Sequence, residues 1–189
     1  MHQTVVLHTV WLTLQASFNG GFGEDIFIYL SFKGHLLGEA SVNLYYTIMS
    51  LYGWYLWTRK TPDQTNYVLQ ITHSNTKEWL QQLLFFGVIY TTLFLVLTYA
   101  KSAFAPEAIP WADAFASATA YTGMWLMAKK KVESWIWWIL TNIASIPLYF
   151  TKGYAFTSIQ FMVLLILAIA GLISWKEKAK DIKNQHESA

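Results

Sequence analysis

Apolar positions along this chain gather in long neutral runs instead of alternating with charge. Ala40 to Thr58 is uncharged for 19 residues, Trp79 to Ala100 for 22 and Gly153 to Trp175 for 23. Two further runs are nearly neutral: Ala108 to Ala128, whose only charge is Asp113, and Val132 to Phe150, which holds Glu133, Asn142 and Pro147. At roughly 1.5 Å per helical residue, each run is long enough to cross or nearly cross a hydrocarbon core about 30 Å thick. Short basic or turn-forming blocks stop them: Arg59-Lys60, Lys129 to Lys131, and Lys152-Gly153. Together with the weaker Ile26 to Leu37 run, the pattern predicts six spans and leaves a seventh, ahead of them, open. Before them, Thr4 to Ala16 is apolar but only 13 residues long, and SFNGGFGED (Ser17 to Asp25) reads as a loop. Ile26 to Leu37 resumes the apolar pattern, broken at Lys33-Gly34.

Composition turns these helices into membrane spans. The charged fraction is 13%, about half the roughly 25% of a soluble domain. With 10 Trp, 11 Tyr and 12 Phe, a soluble fold would need an unusually aromatic core, whereas Trp and Tyr favour membrane interfaces. The reading is an all-α integral membrane protein, one domain over residues 1–189. The absence of Cys excludes disulfides, thiolate metal sites and cysteine nucleophiles. A net charge of +2 gives no footprint for nucleic acid. Basic residues fall in alternate loops: Arg59, Lys60 and Lys77 in one, Lys129 to Lys131 in the next but one, then the Lys-rich tail. The positive-inside rule puts this set, and the C-terminus, in the cytoplasm. The polar tail from Lys176 is expected to be a frayed helix.

An internal echo refines the architecture. YLSFKG (Tyr29 to Gly34) resembles LYFTKG (Leu148 to Gly153). Gly53-x3-Trp57-x2-Lys60 downstream of the first matches Gly171-x3-Trp175-x2-Lys178 downstream of the second. Both copies run inward to a basic end, so they are parallel repeats, which requires an odd number of spans between three-helix units. Trp79 to Ala100 supplies the odd span. The expected scheme is three plus one plus three: 26–58 as the remainder of repeat one, 79–100 as a linker helix and 108–175 as repeat two. The same offset starts repeat one before Met1, so the first span reads as clipped or divergent.

Candidate chemistry is sparse. The five His are scattered without ligand spacing, and no Walker, dinucleotide or paired-carboxylate motif occurs, so neither catalysis nor a metal or cofactor is expected. Glu133 stands where a carboxylate favours the start of its helix, with a place near a substrate as the alternative. The stronger constellation is aromatic plus amide. Trp135, Trp138 and Asn142 recur at i, i+3 and i+7 and share a helical face. Asn43, Tyr46 and Thr47 share another, and Gln160 lies early in the last run. Amides at this depth either bond between helices or line a polar pocket. Trp and Tyr faces suit a flat cationic heterocycle, and amides suit carboxamide and hydroxyl groups. Without basic residues such a pocket disfavours phosphate, which points to a nucleoside or vitamin.

YYTIMSLYGWYLW, VESWIWWILTNIASIPLYFTKG and the YLSFKG echo resemble the PnuC family of bacterial vitamin transporters over roughly Ile26 to Lys178. The resemblance implies a seven-span, three-plus-one-plus-three fold related to the SWEET sugar transporters. It implies facilitated diffusion of an unphosphorylated vitamin, most often nicotinamide riboside, across the bacterial inner membrane, with a cytoplasmic kinase trapping it for NAD biosynthesis. Thiamine and riboflavin are the alternatives in related subfamilies. It carries substrate contacts onto Trp138 and Asn142, with Asn43 standing where many members have Gln. Tyr46, Trp135, Tyr149 and Gln160 complete the expected substrate set. Trp54 and Trp57 of the YGWYLW signature, with Glu133 and Lys152, are expected in gating or structural roles. The lipid bilayer is the expected environment, and the reading leaves room for a homo-oligomer.

Overall fold

The structure, a computed structural model, describes residues 37–59, 69–100 and 109–187. The expected first span, the 26–36 part of repeat one and the YLSFKG copy lie outside the described residues. Five helices follow one another: α1 (Leu37–Thr58), α2 (Thr76–Ala100), α3 (Pro110–Ala128), α4 (Ser134–Thr151) and α5 (Ala155–Glu187). The described residues hold no strand, only an isolated bridge between Thr72 and Lys131. The chain divides into two compact units, residues 1–48 and 49–189, and α1 is continuous across the division.

Local chemistry sets the helix ends. Asn75 and Glu78 form a reciprocal cap on α2: Asn75 Oδ1 accepts the Glu78 N–H and Glu78 Oε2 accepts the Asn75 N–H, both at 2.9 Å. α3 starts at Pro110 and not two residues earlier, because Pro is pre-shaped for the first helical position. Asp113 Oδ2 reaches back to the Ile109 N–H at 2.6 Å. α3 and α4 end in the same closure. Lys131 N donates to Leu126 O and Lys130 N to Met127 O, while Tyr154 N donates to Tyr149 O and Gly153 N to Phe150 O. The left-handed residue is Gly153 (φ 83°) in one closure and Lys130 (φ 52°) in the other. Gly occupies that conformation freely; Lys does not.

Within the 49–189 unit, packing runs α2 on α3, α3 on α4 and α4 on α5. α2 brings Phe85 against Trp125, Phe86 edge-on to Phe115, and Phe86 against Trp137, with centroids 5.0, 5.7 and 5.1 Å apart. α3 is the core helix. Its Ala114, Ala116, Ala118 and Ala120 are buried, and small side chains let neighbouring membrane helices approach closely. Ser158 Oγ donates to Ile146 O at 2.9 Å, tying α5 to α4.

Two described helices are long and apolar enough to cross a membrane by length and composition, over Thr76–Tyr99 and Ala155–Ile182. The outer side of α5 exposes Ile159, Met162, Val163, Ile166, Ile169 and Ile173, spaced along one face, as a lipid-facing helix would. The polar tail is not frayed: α5 continues for 33 residues, roughly 50 Å, to Glu187. Lys, Glu, Ala and Gln, which dominate that end, are good helix formers.

Candidate functional site

α4 carries the candidate site because its period sets four expected residues in one stripe. Trp135, Trp138, Asn142 and Tyr149 stand at i, i+3, i+7 and i+14 of an unbroken helix, spanning roughly 21 Å. Trp138 and Asn142, at its middle, are 8% and 3% exposed. The Trp138 indole lies on Gly123 of α3, where an added Cβ would sit 3.3 Å from indole Cε2 and Nε1. Beside them Thr141 Oγ1 lies 3.0 Å from Thr119 Oγ1 and 2.9 Å from Trp137 O, so the threonines satisfy one another and the backbone.

The stripe ends in two aromatic clusters. Trp135 packs edge-on to Trp175 with centroids 5.6 Å apart, directly over Gly171, and its indole N–H is buried without an acceptor among the described residues. At the other end Tyr149 stacks on Phe161 at 5.2 Å and meets Tyr154 edge-on at 6.4 Å. Gln160 adjoins Phe161 and is half-buried. In the 1–48 unit, Tyr46 is half-buried with its ring 6.2 Å from Tyr45. Asn43 belongs to α1, and its side chain lies outside the described residues.

The expected gating or structural residues divide sharply. Trp54 is 70% exposed. Trp57 is held: its Nε1 donates to Ala128 O at 2.9 Å, Lys130 Nζ lies 5.0 Å over its ring, and its centroid is 6.2 Å from that of Trp175. Lys152 Nζ pairs with Asp113 Oδ1 at 2.6 Å, joining the α4–α5 turn to the start of α3.

Glu133 occupies the N-cap position of α4, the helix start expected for it, but makes no side-chain capping bond there. Its carboxylate reaches across to the segment before α2 instead. It accepts Ser74 Oγ at 2.7 Å and Ser74 N at 2.9 Å on Oε2, and meets His73 Nδ1 at 3.0 Å on Oε1. Burial pushes this carboxyl up, but the hydrogen bonds from Ser74, its own backbone N–H and His73 outweigh that and hold it below the usual carboxylate range. The chain of bonds continues inward. Gln82 Nε2 donates to Ser74 Oγ at 2.8 Å, and Trp137 Nε1 donates to Gln82 Oε1 at 3.1 Å. α2 is thereby fastened to the first turn of α4, next to the stripe.

Sequence reading missed Gln82, Ser74 and Gly123. Gln82 is fully buried. The one available signal for it was an amide pair, Gln81-Gln82, inside an otherwise apolar run.

Among the described residues no group of three His, Cys, Asp or Glu could hold a metal ion. What the stripe offers is aromatic surface and a carboxamide, that of Asn142.

The family model described as nicotinamide mononucleotide transporter matches residues 6–177. The chain belongs to the PnuC family. Its PnuC relatives include the nicotinamide riboside transporter of Escherichia coli (strain K12), 23% identical over 190 aligned residues covering 87% of this chain and 77% of the relative. A riboflavin/roseoflavin transporter, RibM of Streptomyces davaonensis, is 26% identical over 156 residues, 82% of this chain and 71% of its own length. The crystal structure of a vitamin B3 transporter PnuC superposes with a TM-score of 0.60 at 21% identity, covering 84% of this chain and 69% of that one, which establishes the shared PnuC fold. The chain is a membrane transporter and not an enzyme.

Proposed function

We propose that this transporter carries nicotinamide riboside across the bacterial inner membrane by facilitated diffusion. The carrying observation is the placement of Trp138 and Asn142 one turn apart on α4, both buried. Trp138 stacks on the cationic pyridinium ring and Asn142 bonds the substrate's amide or ribose hydroxyls. Trp135, Tyr149 and Gln160 are assigned lesser contacts, and Asn43 and Tyr46 keep a substrate role from the sequence alone. Although the family description names a mononucleotide, the stripe itself bears no cation to take a phosphate, and Lys152 is already matched by Asp113. This supports an unphosphorylated substrate, with a cytoplasmic kinase trapping the product of transport.

The proposed architecture is three plus one plus three, with α2 as linker and α3 to α5 as repeat two. The two repeats rock about the site, and the C-terminus is cytoplasmic. Because the chain has no Cys, a single Lys180→Cys variant reports orientation by labelling with a membrane-impermeant thiol reagent. Labelling in intact spheroplasts, which exposes only the outer face, contradicts the assignment.

A second reading is riboflavin, favoured by the similarity to the Streptomyces davaonensis transporter; thiamine, also cationic and aromatic, is the third candidate. Calorimetric titration of the purified protein with all three decides among them. Nicotinamide riboside binding, abolished by Trp138→Ala, is the expected result. Binding of riboflavin or thiamine alone overturns the assignment.

A further inference from the structure

Gly123 is an interior glycine of a core helix, a position where glycine weakens the helix relative to alanine and therefore calls for a packing reason. The reason is close at hand. A Cβ at this position would meet Trp138 Cε2 and Nε1 at 3.3 Å and Trp137 Cβ at 3.4 Å. Gly87 of α2, by contrast, has nothing within 4 Å of the same construction, so glycine is not needed there for space. At Gly123 the backbone of α3 forms the floor on which the Trp138 indole rests.

We infer that Gly123 is a specificity-determining positioning residue: it sets how deeply Trp138 is seated and hence the width of the slot beside its outer face. The inference rests on the proposed role of Trp138 in substrate binding. The indole is rigid and 8% exposed, with α3 behind it and the Trp137 Cβ bracing α4. A methyl at 123 can be accommodated only by moving the ring a few tenths of an ångström away from α3, toward the side where a substrate ring stacks. A one-ring pyridinium recovers part of the lost contact by sliding along the indole. A rigid fused three-ring system, such as that of riboflavin, has less freedom to do so. Glycine therefore keeps the slot wide, and alanine narrows it against larger bases first.

The test is a double-mutant cycle of wild type, Gly123→Ala, Trp138→Phe and the double variant, each titrated with nicotinamide riboside and with riboflavin. Thermal melting in detergent runs alongside. Phe lacks the indole Cε2 and Nε1 that the added methyl would meet. Gly123→Ala is expected to weaken binding at least about fivefold, the scale of an ordinary overpacking penalty, and to weaken riboflavin more wherever riboflavin binds. The double variant is expected to bind no worse than Trp138→Phe alone. Wild-type affinity in Gly123→Ala, or losses that multiply in the double variant, overturns the inference. If Gly123→Ala does not fold, the double variant against Trp138→Phe decides: equality supports it, and a further fivefold loss overturns it. Undiminished binding by Trp138→Ala overturns the underlying reading. Loss in Trp138→Ala with none in Gly123→Ala removes only the role of Gly123.

Discussion

Gly53 on α1 and Gly171 on α5 stand in the same short pattern, each four residues before a Trp and seven before a Lys. Their surroundings differ. A Cβ at Gly171 would fall 2.5 Å from the Trp135 ring, a distance side chains do not tolerate, whereas one at Gly53 would meet Ala128 at an ordinary 3.5 Å. The tryptophans differ as well. Trp175 is 3% exposed and receives the edge of Trp135, while Trp57 is half-buried and anchored through its N–H to Ala128 O. The two tryptophans then meet each other. One copy is a packing joint that admits no extra atoms, and the other is a hydrogen-bonded latch with room to spare. The same short pattern thus carries different energetics at its two occurrences.

Thermal melting in detergent can break or sharpen this contrast, with each kcal/mol expected to move the midpoint about 2–4 °C for a chain of this size. Trp175→Ala should have the largest effect, a loss of about 3–5 kcal/mol from removing a buried indole between Trp57 and Trp135. Gly171→Ala comes next, at about 1–3 kcal/mol, because the Trp135 ring must leave its place. Trp57→Phe should cost about 1 kcal/mol by leaving the Ala128 carbonyl without its donor. Gly53→Ala should be neutral or stabilising by up to about 1 kcal/mol, since alanine favours the helix and its methyl fits. Equal losses at the two glycines would erase the contrast; tolerance at Gly171 would reverse it.

Much of this architecture was legible from charge and turn chemistry. Lys129 to Lys131 and Lys152-Gly153 mark the ends of α3 and α4 because both turns are built from backbone closures that local sequence encodes. The shared face of Trp138 and Asn142 follows from the helical period alone. What could not be read is what each residue faces. Glu133 finds Ser74 59 residues away, and Trp137 finds Gln82 55 residues away. No local pattern specifies such pairs. The lysine run also has partners that no local pattern announces: Lys130 sits over Trp57 and donates to Leu69 O, and Lys131 pairs with Glu78. Gly123 was invisible for the same reason: a glycine's meaning lies in the side chain that rests on it.

The central claim is that the buried Trp138–Asn142 face of α4 recognises an unphosphorylated vitamin. It is tested most directly by uptake of labelled nicotinamide riboside into proteoliposomes containing either the wild-type transporter or Asn142→Ala, with melting temperatures matched to confirm folding. Uptake by the wild type and a fall of at least roughly tenfold in the variant are expected, the scale of a lost buried hydrogen bond to substrate. Equal uptake by the two proteins would contradict it.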